Sequence, residues 1–214
     1  MKVPKLTMLV TSLVILLPIV AGILLWNQLP DPMPTHFNMH NEPDGWSSKP
    51  FAVFGIPLIL LALQWVCLVA YRTDPKKRNI HPTVMGLVLW IIPVMSLLVG
   101  ALCYLVALGR EINVGFFVCL LLGILFVLIG NYLPKCRQTY TVGIRIPWTL
   151  HDEGNWAYTH RLGGWVWTAG GLLVILCAFL GWMPAILLIL ALMVLLPCAA
   201  SFLYDRRHRR EKEE

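Results

Sequence analysis

Charged residues are scarce in this sequence, and their scarcity excludes an ordinary soluble domain. Only 13% of the 214 residues are Asp, Glu, Lys or Arg, whereas 58% are hydrophobic. The mean hydropathy is +0.72. A soluble core of this size cannot bury so much apolar surface. The chain is therefore predicted to be an integral membrane protein.

The sequence also lacks the alternating segments of about ten residues that build a membrane β-barrel. It has instead six apolar segments, each near the roughly 20 residues that a helix needs to cross about 30 Å of hydrocarbon. They predict an all-α integral membrane protein in which residues 1–214 form a single six-transmembrane helix bundle. The segments are residues 6–28, 51–71, 83–108, 114–133, 162–181 and 183–204.

Asp, Glu, Lys, Arg and His are missing from the middle of all six segments. Proton-coupled carriers and ion pumps usually place such residues there, so active transport is not favoured. A disulfide framework is missing as well, because five of the six cysteines lie inside apolar segments and only Cys136 lies in a loop.

Basic residues are distributed unevenly between the loops. If the N-terminus is cytoplasmic, only Lys49 and Arg110 fall on the outer side. The positive-inside rule then predicts that both termini are cytoplasmic, that 29–50 is an extracellular Pro-rich loop and that 134–161 is cytoplasmic. The basic tail from Arg206 to Lys212 is expected to contact anionic membrane lipid rather than nucleic acid.

The outer loop is rich in proline and contains an Asp44-Gly45 turn signal, which predicts a rigid, folded-back loop without regular structure. We expect His36, Asn38 and Asp44 to satisfy backbone groups in its turns. A divalent-metal site of His36, His40 and Asp44 is an alternative that the ligand types permit. The two histidines share a face only on a helix, however, and flanking prolines leave little room for one.

In the inner segment, Thr149 and Asp152 have the spacing of a capping box, which predicts a helix that starts there and continues into the fifth span. On that helix, Trp156 and His160 would share one side. Interfacial tryptophans are commonly membrane anchors. Arg145 precedes Ile146-Pro147, whose geometry disfavours helix, and we expect it to fold back under the helices.

Two groups of residues carry a family resemblance. The first group comprises Asn131, Pro134, Lys135, Gly143, Arg145, Pro147, Trp148, Trp156, His160 and Arg161. It resembles the signature of the SdpI family, bacterial plasma-membrane proteins associated with immunity to a secreted toxic peptide. The second group runs from Leu29 to Lys49 and includes His36, Asn38, Asp44 and Gly45. It resembles the domain of unknown function that commonly precedes that signature.

The resemblance implies a non-catalytic protein that requires no cofactor. Its implied partners are a secreted toxic peptide and, in some family members, a cytoplasmic DNA-binding repressor that the membrane protein sequesters. Direct contact with nucleic acid is not implied.

The alternative is a membrane-embedded, metal-dependent enzyme. It would use the outer His36, His40 and Asp44, or an inner set in which His151 or His160 acts with Asp152, Glu153 or Arg145. Neither set has the spacing of a nucleophile, a base and a group that orients the base, so the sequence favours the binding protein.

Overall fold

The computed structural model describes residues 4–213, with side chains as far as residue 208. Lys2 lies outside the described residues. So do the side chains of Arg209, Arg210 and Lys212, for which lipid contact is predicted.

Six helices in the described part of the chain are long and apolar enough to cross a membrane, which confirms the predicted fold class. The long helices are α1 (Lys5–Leu24), α2 (Ile56–Thr73), α3 (Pro82–Ala107), α4 (Val114–Tyr132), α6 (Glu153–Leu180) and α7 (Met183–Glu213), and a short α5 (Pro147–His151) precedes α6. A wider helical turn, Phe51–Gly55, leads into α2, and single 3-10 turns lie at Lys77–Asn79 and Leu133–Lys135. Many large apolar side chains on these helices are exposed, as expected of surfaces that hydrocarbon covers.

The chain divides into two compact units. The first comprises the described residues up to Val69 together with Gly86–Val118, and the second comprises Ala70–Met85 and the chain from Cys119 onward.

In the first unit, polar side chains join the helices through backbone carbonyls. Ser96 donates to the carbonyl of Ile15, and the Tyr104 hydroxyl donates to that of Pro18, both at 2.8 Å. Gln64 donates to the carbonyl of Leu89 at 3.0 Å. A hydrocarbon environment supplies no water to these groups, so each polar side chain needs a protein partner.

The segment between α1 and α2 forms an antiparallel hairpin of β1 (Met33–Phe37) and β2 (Pro43–Ser47), so the prediction that it lacks regular structure is wrong. Asn38 closes the hairpin, because its side-chain oxygen accepts from the backbone N–H groups of His40 and Glu42. Prolines fit because each strand of a two-stranded ribbon has a free edge, and the register is irregular around His36.

The hairpin is tied to neighbouring helix ends at its base and at its tip. The ammonium of Lys49 donates to the carbonyls of Trp26 and Leu29, at 3.1 and 2.7 Å, and lies 5.1 Å from the centre of the Trp26 indole. At the tip, Asn41 donates to the carbonyl of Ile112 and accepts from the N–H of Gly115. The hairpin therefore has little freedom to swing away from the first unit.

In the second unit, glycines of α6 pack against two different helices. A Cβ atom on Gly171 would lie 2.7 Å from the carbonyl oxygen of Gly123 in α4, and one on Gly164 would lie 2.9 Å from that of Gly130. A Cβ on Gly170 would lie 2.4 Å from the sulfur of Met193 in α7. The absence of side chains at these positions allows the helices to approach closely.

The start of α6 differs from the prediction. The chain does not form one helix from Thr149, because α5 already begins at Pro147 and the backbone is extended at Asp152. Asp152 is the N-cap of α6, since its carboxylate accepts from the N–H of Gly154 at 2.7 Å. The helix thus starts at Glu153, well before residue 162, and it includes Trp156 and His160.

We expect Gly164→Ala to destabilise the second unit, because the new methyl group would meet Pro134 at 2.5 Å and the Gly130 carbonyl at 2.9 Å. Overpacking of this kind typically costs about 1 to 3 kcal/mol. Gly86→Ala is the control, because Gly86 lies in helix α3 and has no heavy atom within 4 Å of the position of its missing Cβ. Thermal unfolding in detergent that shifts equally in the two variants would contradict the packing scheme.

Candidate functional site

The connection between α4 and α6, residues 133–152, holds most of the family-like residues and folds over the first turns of α6. At its centre, the rings of Trp156 and His160 stack with centroids 3.9 Å apart and an angle of 18° between them. Both residues are almost fully buried, at 2% and 1% exposure. Trp156 is therefore a buried residue of α6 that the connection covers, rather than an interfacial anchor.

Both nitrogens of the His160 ring are occupied by backbone groups. The Nδ1 atom lies 2.8 Å from the Trp156 carbonyl oxygen, and the Nε2 atom accepts from the N–H of Ile144 at 2.9 Å. A carbonyl requires a donor and an N–H requires an acceptor, so the partners define a neutral imidazole with its proton on Nδ1. His160 therefore has no nitrogen left to act as a base or a metal ligand.

Gly143 brings the connection into contact with this ring pair. Its φ is +119°, and a Cβ atom there would lie 2.4 Å from the Nε2 atom of His160 and 2.8 Å from the Trp156 ring. Only glycine meets both conditions without a shift of the backbone or the rings. The Trp156 indole N–H then donates to the carbonyl of Cys136 at 2.8 Å, which ties the other end of the connection to the same ring pair.

Two buried polar side chains hold the remainder of the connection. The Thr149 hydroxyl lies 2.9 Å from the carbonyl of Ile144 and accepts from the N–H of Ile146 at 3.1 Å. The Gln138 amide donates to the carbonyls of Thr149 and Leu150, both at 2.9 Å. Thr149 thus stabilises the turn before α5 instead of capping a long helix.

Asp74 links the turn after α2 to the connection, although no sequence pattern singles it out as a functional residue. It is 3% exposed. One carboxylate oxygen accepts from the N–H of Tyr140 at 3.0 Å and the hydroxyl of Thr141 at 2.6 Å, and the other accepts from the N–H of Lys76 at 2.7 Å. An Asp-Pro step after a helix was the available local signal, but the partners of Asp74 in the connection lie more than 60 residues away.

A group of buried polar residues on α6 and α7 was also not predicted from the sequence. The side-chain oxygen of Asn155 accepts from the hydroxyls of Thr159 and Ser201, at 2.9 and 2.6 Å, and its amide donates to the Ser201 carbonyl at 3.0 Å. All three residues are fully buried. The four-residue spacing of Asn155 and Thr159 on one face of α6 was visible in the sequence. That Ser201 bonds to Asn155 follows only from the packing of α7.

The cationic members of the family-like set lie at the surface. Arg145, expected to fold back, is exposed and donates to the Tyr140 carbonyl at 2.6 Å. Lys135 and Arg161 are exposed, and the Lys135 ammonium lies 4.8 Å from the centre of the Tyr132 ring. Asn131 is exposed at the end of α4. The connection therefore has a neutral interior and a basic surface.

The prolines and the remaining tryptophan of the set have packing roles. Pro134 lies against Gly164, and Pro147 is the first residue of α5. Trp148 packs edge-on against Phe202 of α7, with centroids 5.5 Å apart, and its buried indole N–H is unpaired among the described residues.

In the hairpin, His36 and Asp44 pair with each other rather than with the backbone groups predicted for them. Nδ1 of His36 lies 2.5 Å from the Asp44 carboxylate, and their side chains are 74% and 43% exposed. Gly45 allows this pairing, because a Cβ there would lie 2.8 Å from that of His36. Within the described residues, no three His, Cys, Asp or Glu side chains are close enough to hold a metal, so the structure does not assemble the alternative set with His40.

The chemical capacity of the connection is low. Burial raises the pKa of the Cys136 thiol to about 11, so the reactive thiolate is rare near neutral pH. Asp152 caps a helix, and Nδ1 of His151 lies 2.5 Å from the Pro147 carbonyl oxygen. These groups hold the backbone in place and form no nucleophile with an oriented base.

The six apolar helices and these buried polar interactions define a multi-pass helical membrane protein. Comparison with known sequences shows which membrane proteins the chain resembles. Residues 13–61 match a domain of unknown function, DUF1648, and residues 135–201 match the SdpI/YfhL protein family. The chain is 29% identical over 199 residues to the Immunity protein SdpI of Bacillus subtilis (strain 168), and the match covers 91% of each chain. No solved structure matches significantly.

These matches support assignment of the chain to the SdpI family, and the relative and the six long apolar helices support a multi-pass bacterial membrane protein. The matched SdpI segment contains all but the first two residues of the connection together with the buried rings, and the DUF1648 match contains the hairpin.

We expect Gly143→Ala to displace the rings of Trp156 and His160 and thereby to expose Cys136. In a background that retains only this cysteine, its alkylation at a fixed pH should accelerate by about tenfold or more, because local opening controls access. Gly109→Ala is a matched control, since Gly109 also has a positive φ, of +78°, but no heavy atom lies within 4 Å of the position that a Cβ would occupy. Equal alkylation rates in the two variants would refute the role of Gly143.

Proposed function

We propose that this chain is a non-catalytic membrane immunity factor that binds or neutralises a secreted toxic peptide. The observation that carries the proposal is the similarity to an immunity protein over 91% of both chains. The order of the two matched family segments supports it. Engagement of His160 and Asp152 in structural hydrogen bonds also favours a binding protein over an enzyme.

The proposal includes an orientation in which both termini and the α4–α6 connection are cytoplasmic and the hairpin is extracellular. Six crossings would return the chain to the side on which it began. The exposed cations Lys135, Arg145 and Arg161 would then lie on the cytoplasmic side, in agreement with the positive-inside rule.

Two features make the hairpin a suitable first contact for a peptide that arrives from outside. It is fixed by Lys49 and Asn41, so binding would not require a mobile loop to become ordered. It also exposes apolar and ionisable side chains together, namely Trp46 at 56%, Met39 at 69% and the His36–Asp44 pair.

The test is survival of a toxin-sensitive Bacillus strain that lacks its own SdpI and expresses this chain at matched membrane levels. We expect wild-type protein to protect and His36→Ala to weaken protection, because the change removes one half of the His36–Asp44 pair. His40→Ala is the matched control, because His40 is exposed on the same hairpin and only its backbone N–H is bonded.

Three outcomes separate the parts of this proposal. Failure of well-expressed wild type to protect would refute immunity against that toxin. Protection that His36→Ala leaves intact would exclude the His36–Asp44 pair as the contact. Protection that is lost in Arg145→Ala but retained in Arg78→Ala would place the required surface on the connection, because both arginines are exposed.

The proposal also includes the sequestration of a cytoplasmic DNA-binding repressor at the membrane. The basic surface of the connection and the tail from Arg206 would contact such a partner. We expect removal of residues 206–214 to abolish toxin-induced transcription while protection remains. Unchanged induction in the truncated protein would exclude the tail as the contact.

A further inference from the structure

A polar pocket lies where α4 ends and α6 begins. Its volume is about 570 Å³, within the range of roughly 300 to 1,000 Å³ that is usual for small-molecule sites. The lining residues are Asn79, Pro134, Lys135, Cys136, Arg137, Gln138, Glu153, Trp156 and Ala157. None of these residues belongs to the hairpin, so the pocket is a separate site.

The floor of the pocket has few hydrogen-bonding groups to spare. The indole N–H of Trp156 already donates to the Cys136 carbonyl at 2.8 Å, and the Asn79 amide donates to the Gln138 carbonyl at 2.9 Å. The Gln138 side chain also accepts from Lys76. The floor therefore contributes the shape of the pocket, and the hydrogen bonds and charges that would recognise a ligand come from the residues at the rim.

The rim carries charges that the protein itself does not neutralise. The side chains of Arg137 and Glu153 are exposed and form no hydrogen bond or ion pair with another described residue. Lys135 is exposed as well, and the contact found for its ammonium is with the face of the Tyr132 ring. Two cations and one carboxylate around one pocket are complementary to a ligand that carries both an anionic and a cationic group.

The position of the pocket indicates the source of such a ligand. Lys135 is the last residue of one candidate membrane span and Glu153 is the first residue of the next. The ends of membrane spans are expected near the level at which hydrocarbon gives way to phospholipid headgroups, a depth at which Lys and Tyr side chains are common anchors. A lipid headgroup is therefore the most abundant ligand available to the pocket.

We propose that this pocket binds the headgroup of phosphatidylethanolamine. Lys135 and Arg137 hold the phosphate, for which the fork of a guanidinium is well suited. Glu153 holds the primary ammonium. Phosphatidylglycerol carries the same phosphate but no ammonium group. It satisfies the two cations but leaves the Glu153 carboxylate without an opposite charge, so it binds less tightly.

The experiment uses the full chain in detergent and measures binding of short-chain phosphatidylethanolamine, short-chain phosphatidylglycerol and soluble phosphoethanolamine by calorimetry. Wild-type protein should prefer the ethanolamine lipid by about fivefold, which corresponds to roughly 1 kcal/mol. Glu153→Gln should remove that preference without weakening phosphatidylglycerol. Arg137→Gln should weaken both lipids by about tenfold. Arg78→Gln, which changes an exposed cation outside the pocket, should bind as wild type does.

Three results would overturn the proposal. Equal affinity of wild type for the two lipids would remove the role of Glu153. Soluble phosphoethanolamine that binds as tightly as the lipid would assign the site to a water-soluble metabolite. Absence of lipid binding would leave the pocket to a segment of a protein partner. Because no toxin is present, none of these outcomes depends on the immunity function.

Discussion

The α4–α6 connection depends on a single neutral imidazole whose two nitrogens are both used. His160 joins its own helix, through the Trp156 carbonyl, to the connection, through the N–H of Ile144. Since a buried N–H without an acceptor is costly, the backbone at Gly143 and Ile144 has one favourable position over α6. The other buried polar residues, Thr149, Gln138 and Asp74, then hold the chain on either side of that position.

The hairpin is also held in one position by polar contacts, but by a different set of groups. A short ribbon of two strands is only marginally stable in water by itself. Here Lys49 binds carbonyls at the end of α1, and Asn41 bonds to backbone groups around the start of α4. The ribbon is thus an extension of the helix ends, which explains how a segment rich in proline can keep a defined shape on a membrane protein.

The parts of the fold that depend on simple physical requirements were predictable from sequence. Each span must be about 20 residues long and apolar, and the glycines of α6 recur at a helical period, so both the spans and the close packing could be anticipated. Gln64, a polar side chain within an apolar span, indicated an interhelical hydrogen bond, which it makes to Leu89.

Other features could not be predicted because their causes are distant in sequence or locally ambiguous. Asp74 has partners at residues 140 and 141. Thr149 and Asp152 fit one capping box, yet each stabilises a different turn. Proline indicated an irregular loop, whereas Asn38 and the free strand edges permit a hairpin. The metal alternative needed His36, His40 and Asp44 to converge, and the hairpin instead pairs only the first with the last.

The two glycine faces of α6 also constrain how the protein is made. One face fits α4 through Gly164 and Gly171, while Gly170 lies against Met193 of α7. When α6 leaves the ribosome, its first partner is already present and its second has not yet been synthesised. Until α7 arrives, the groove at Gly170 is open to lipid and the Asn155 amide lacks the Ser201 carbonyl. The last helix therefore completes the second unit, and a chain that stops before it would keep its α4 contacts but lack the packing of α6 against α7.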